Sequence, residues 1–246
     1  MKHPPGGQLY RYRIKSIPSA EVTPEAKQQA LCGVVGSLAE KPFKPPRPPR
    51  FKSDTFDTQR IPGTTLPIPI AWTLIDRKWL RPGPGHAPPL EDRVPEDHQG
   101  WDDDIGTGDC ISGVPGCGPT LTWIAQTFMT AMIPAFDAYR ADVEPVELAD
   151  IDLANPVGLE AWRHYRWKVF GITAISFFDD RLCASAFGTD ADTVAKRVIN
   201  EVPFVSVLQL RNRRGVLIQA FEDYVDVAHL LPIRARIMAA IRQNKV

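Results

Sequence analysis

Residues 204–221 read Phe204-Val-Ser-Val-Leu-Gln-Leu210, then Arg211-Asn-Arg-Arg-Gly215, then Val216-Leu-Ile-Gln-Ala-Phe221. Two apolar, β-rich runs flank a basic tip, and this spacing predicts an antiparallel hairpin in which Gly215 closes a five-residue loop. Working backwards, 190–201 has the spacing of an amphipathic helix, with Val194, Val198 and Ile199 inward and Lys196 and Arg197 outward. Before it, 168–178 is β-rich, and Asp179-Asp180 reads as a two-residue turn into a strand over 181–187. Two hairpins around a helix predict an α+β fold: a four-stranded, mostly antiparallel sheet with helices packed on one face, plus an extended Pro-rich N-terminal arm.

The flanks of this core are read the same way. A helical stripe at 121, 124, 125, 128, 132 and 136 predicts a helix over 120–140, kinked or split at Pro134. A further helix is expected over 156–167, and one or two more over 223–243 with a break at Pro232. At the front, Gln8–Ile17 alternates strictly, with Tyr10, Tyr12 and Ile14 on one face and Arg11, Arg13 and Lys15 on the other. That period predicts a strand with one buried and one basic side. Far in sequence from other strands, it needs an edge elsewhere in the chain or in a neighbour. Thr23-Pro24-Glu25 marks the start of a helix running to about Leu38.

Composition divides the chain into 1–60, a basic strand, helix and polyproline arm; 61–110, a Pro/Gly-rich and acidic connector; and 111–246, the α+β core. Of 24 prolines, 17 precede residue 96, so core-forming sequence concentrates late. Charge is sorted as well: 11 Lys+Arg against 5 Asp+Glu in 1–60, 5 against 16 in 61–160, and 13 against 8 in 161–246. Blocks of opposite sign pair with one another, within a chain or between copies. In Lys41–Lys52, Lys44, Arg47, Arg50 and Lys52 ride on a proline-forced extended path. The acidic counterpart is Glu91–Asp104, ending in Asp102, Asp103 and Asp104. These residues, with Tyr10, Arg11, Tyr12 and Arg13 and the hairpin tip Arg211, Arg213 and Arg214, are the candidate interaction set.

Several classes are excluded or disfavoured. There is no signal-peptide pattern and no apolar run long enough for a bilayer, so a cytoplasmic protein, or one built into an assembly formed from cytosol, is expected. Few interleaved aromatics and net neutrality argue against nucleic acid as a partner. Phosphate-binding glycine loops are absent. The four cysteines show no zinc spacing, and Asp102, Asp104 and Asp109 match a calcium loop poorly, so neither metal nor cofactor is expected.

One segment has catalytic character. Cys117, in Gly116-Cys117-Gly118-Pro119-Thr120, opens an apolar helix whose N-terminal N–H groups favour a thiolate. The segment resembles the nucleophile region of papain-like cysteine peptidases, especially the bacteriocin-processing branch. The resemblance implies Cys117 as nucleophile, His164 as general base and Asp179 or Asp180 as orienter. The leading expectation is nevertheless a non-enzymatic structural subunit of a larger assembly, virion-like or comparable, contacting copies of itself or other subunits through the basic arm and acidic segment. The alternatives are that cysteine hydrolase, and a bacterial effector-associated adaptor or immunity protein.

Overall fold

The computed structural model describes residues 10–16, 29–30, 33–34, 37, 57–61, 70–76, 101–107, 121–145, 169, 171–222, 225 and 227–243. In chain order the elements are β1 (Tyr10–Ser16), β2 (Asp57–Ile61), β3 (Ile70–Asp76), β4 (Trp101–Thr107), α1 (Leu121–Trp123), a π-helical stretch (Ile124–Met129), α2 (Thr130–Ala135), β5 (Ala138–Pro145), β6 (Ile175–Asp179), α3 (Asp180–Phe187), α4 (Ala191–Val198), β7 (Phe204–Gln209), β8 (Arg214–Gln219) and α5 (Val227–Ile241). The strands form one sheet in the order β2-β3-β4-β1-β5-β6-β8-β7, and every neighbouring pair is antiparallel. The α+β class expected from sequence holds. The strand count does not: the described residues form eight strands rather than four, and five of them, β1-β5-β6-β8-β7, frame the packed core.

Of the two places open to β1, an edge elsewhere in the chain or one in a neighbour, the structure shows the first. β1 lies inside the sheet of its own chain, between β4 and β5. Tyr12 pairs with Val143 and Ile14 with Ala141, and all four side chains are buried. The row continues through Ile175 and Phe177 of β6 to Gln219 and Leu217 of β8. The helical run α1–α2 covers this face: the Tyr12 and Phe128 rings meet edge-on at a centroid distance of 5.3 Å, a favourable quadrupole geometry. On the opposite face Phe178 meets Phe187 of α3 edge-on at 5.7 Å. Helices therefore flank the sheet on both faces rather than one, and every residue of β5 and β6 is buried.

Charged residues meet in register on both flanks of β1. Its basic side is in register with Glu144 (opposite Arg11), Asp142 (opposite Arg13) and Arg140 (opposite Lys15) on β5. On its other flank, Arg13 pairs with Asp104 and Lys15 with Asp102 of β4. Opposite charges directly across a ladder stabilise it and like charges oppose it; Arg13 lies in register between Asp142 and Asp104, whereas Lys15 lies between Arg140 and Asp102. Lys15, Arg140, Asp142 and Glu144 are all buried. The Arg140 Nε–Asp142 Oδ2 pair, at 2.9 Å, is sheltered from solvent, where charges must be paired to be tolerated.

Three local expectations are corrected. The segment 181–187 is helical, because Asp179 is an N-cap rather than a turn residue: its carboxylate accepts from Leu182 N at 2.8 Å. Gly188 at φ +66° ends the helix, its N–H bonding Ala184 O. The helix of 120–140 stops at Ala135, and Asp137 at φ +46° turns the chain into β5. Gly215 lies in β8, not in the loop, which Leu210 N–H closes onto Arg213 O at 2.8 Å. The predicted helix 190–201 appears as α4, with Val194 and Val198 buried but Ile199 59% exposed. Pro232 sits within a continuous α5 and does not break it. In the region of the expected first helix, Gln29, Ala30, Gly33, Val34 and Ser37 are helical; the segment 156–167 lies outside the described residues.

Gly215 is required for contact, not for its backbone angle. A Cβ placed there would run into the Phe177 ring and lie 2.9 Å from Phe178 O. Overpacking of this kind typically costs about 1–3 kcal/mol. Gly215→Ala should lower unfolding free energy by that amount in a denaturant titration; an unchanged midpoint would show that the ring can move aside.

Candidate functional site

The hairpin tip, α3 and the α2–β5 corner converge on Arg213. Its guanidinium donates to Asp137 Oδ1 at 3.0 Å, Asp137 O at 2.7 Å and Ala138 O at 2.9 Å. Its Nε lies 2.7 Å from Asp179 Oδ2, and only 9% of its side chain is exposed. The left-handed Asp137 is thus held by the arginine that spans it, at a conformation only short polar residues adopt readily. Arg213 was expected at an exposed tip. It is an internal clamp, and its planar fork suits several acceptors at once.

Asp179 is buried and engaged on every side: Leu182 N–H, Arg181 Nε at 3.2 Å and Arg213. Burial nonetheless pushes its carboxyl above the ordinary aspartate range, with the Leu182 N–H and the two arginines pulling the other way. The sign follows from linkage: with the folded pKa raised, this residue's contribution to stability is whole below the unfolded value and fades as pH rises through the folded one. Asp190 behaves oppositely. Its bonds to Thr193 hold it below the ordinary range, so its contribution is present above that range and is lost on strong acidification.

Asp180 joins two elements, accepting from Ala191 N and from Arg214 N, each at 3.0 Å. Arg214 also pairs with Asp192. Arg211 is exposed. Cys183 is buried, and its thiol is pushed well up by burial first and then by Asp179, Asp180 and Asp190, which favours thiol over thiolate.

The remaining expected site residues divide as follows. Tyr10, Arg11, Tyr12 and Arg13 lie in β1, and Asp102, Asp103 and Asp104 in β4 beside it. A strand, not a calcium loop, holds Asp102 and Asp104. Lys44, Arg47, Arg50, Lys52, Cys117 and His164 lie outside the described residues. No cluster of potential metal ligands occurs among the described residues, and no helix among them is long and apolar enough to cross a membrane.

Sequence reasoning passed over the end of the sheet. β7 pairs with β8 alone among the described strands. Its side chains are half-buried up to Leu208, and residues 202–210 contain no charge. That last feature was the available signal. Terminal strands ordinarily carry charges or prolines that discourage pairing; β7 has a proline only at its entrance, Pro203, whereas β2, the opposite terminal strand, carries Asp57 and Arg60.

Replacing Arg213 with Met would strand Asp179 and Asp137. Removing one partner of a buried pair costs about 3–5 kcal/mol, so Arg213→Met should destabilise by about 3 kcal/mol in chemical denaturation, with Lys196→Met, at an exposed position of α4, changing little. Equal effects for the two would contradict the clamp.

No protein-family model matches the chain, and no curated protein matches it. Among solved structures it is similar to the Pseudomonas aeruginosa T6SS protein PA0821, with 11% identity, 95% of this chain and 73% of that chain covered, and a TM-score of 0.48. A likeness of that degree assigns neither family nor activity.

Proposed function

We propose that this protein is a non-catalytic binding subunit that holds another polypeptide at the open end of its sheet, along β7. The observation that carries the reading is the backbone of that strand. Because Leu210 N–H bonds Arg213 O across the hairpin, antiparallel alternation turns the backbone groups of Phe204, Ser206 and Leu208 toward β8. Those of Val205, Val207 and Gln209 then point away from the sheet. An uncharged strand with a row of outward N–H and C=O groups suits strand addition, in which backbone bonds give affinity and flanking side chains give selectivity.

This keeps the assembly class expected from the sequence and moves the contact. The basic strand and the last part of the acidic segment are in register with one another within one chain, so we place the contact on β7 rather than on β1. The Lys41–Lys52 segment remains a second contact on the sequence argument alone, and an effector-associated adaptor or immunity protein would use the same surface. The cysteine hydrolase gains no supporting observation: the carboxylate of Asp179 is committed to an N-cap and two arginines.

A photo-crosslinking amino acid at Val207, in cells that express the protein, should give discrete adducts to a polypeptide that are absent when the probe sits at exposed Ser185 on α3. No adduct from Val207, or the same adducts from both positions, would overturn the reading.

A further inference from the structure

We infer that the polypeptide received by β7 is a second copy of this chain, joined antiparallel across a two-fold axis at Ser206. This rests on the strand-addition reading above and names its partner. The argument begins with the strand's ends. Glu201 precedes β7 and Arg211 follows it, with nine uncharged residues between them. A strand acidic at one end and basic at the other is complementary to itself only when the second copy runs the opposite way.

The register that sets Glu201 against Arg211 of the other copy also sets Ser206 against Ser206, Val205 against Val207 and Phe204 against Leu208. The alternation of the strand and the residue at its centre agree with it. Val205 and Val207 are the residues whose backbone groups point outward, so in this register they face one another as a hydrogen-bonded pair and repeat by symmetry. Phe204 and Leu208, whose backbone groups point to β8, fall in the non-bonded pair, where side chains approach most closely. The residue on the axis is a serine, small enough to meet its own image.

The flanks add to the case. Ile199, 59% exposed, ends the helix that leads into β7. Glu201 is 32% exposed and pairs with Arg236 Nε at 2.7 Å, itself 62% exposed. A surface pair of this kind is weak and leaves the carboxylate able to share a second arginine. Symmetric pairing gives a closed, isologous contact rather than an open filament.

The test is the mass of the full chain by light scattering and sedimentation over about 1–200 µM, a range that spans ordinary weak association. A concentration-dependent dimer is expected. Val207→Pro removes an outward N–H and should give a monomer that keeps its circular dichroism. Glu201→Arg and Arg211→Glu should each weaken association about fivefold, through two symmetry-related rim pairs. The double charge swap should restore it. If Val207→Pro fails to fold, the charge-swap series decides alone.

A monomer throughout the range, or a dimer indifferent to the swap and to Val207→Pro, would overturn the inference. A monomer whose Val207 probe still crosslinks to a different polypeptide would overturn self-pairing while leaving the binding-subunit reading in place.

Discussion

The fold hangs on the insertion of a strand from the front of the chain between two strands that come much later. β1 has β4 on one side and β5 on the other, so without it the sheet separates into β2-β3-β4 and β5-β6-β8-β7. No turn brings these strands together. The closure entropy of long intervening segments must be offset by burying Tyr12 and Ile14 against α1–α2 and β5 and by matching a basic strand to acidic neighbours. Such non-local pairing is intrinsically slow to form, and β1 cannot dock in full register until β4 and β5 are both available.

The same constraint changes the meaning of the charge blocks. Three segments of alternating sign invite the idea of subunits reaching for one another. Here the basic front and part of the acidic middle meet as adjacent strands of one molecule. Arg213, Asp137 and Asp179 repeat the theme at the other side of the core, where a basic hairpin residue holds a corner 76 residues away in sequence. Arg140, Asp142, Asp179 and Arg213 are charges built into the core, and the sheet end at β7 stands out because it carries none.

Legibility in the sequence followed the range of the interactions involved. The α+β class, the β7–β8 hairpin, α4 with its inward Val194 and Val198, and the strand character of Tyr10–Ser16 were all readable, since each depends on local period or a local cap. Asp179 was misread because a pair of aspartates suits a turn as well as an N-cap; the choice is made by Leu182 and Cys183 packing into the core. The start of β5 falls within the expected helix 120–140, which a left-handed Asp137 ends early, and the rest of that strand went unread. The clamp by Arg213 had no local signature, because its acceptors lie on other elements. The position of β1 was out of reach for the same reason: alternation reports that a strand exists, not which strands flank it.

The most direct test of this account is native-state hydrogen exchange at Tyr12, Ile14 and Lys15. If β1 is bonded on both sides within its own chain, the amides of these residues should be protected to the level of global unfolding and exchange together with those of Ile175–Phe178. Rapid exchange in β1 while β6 stays protected would contradict it, and the sheet would then have to be held together in some other way.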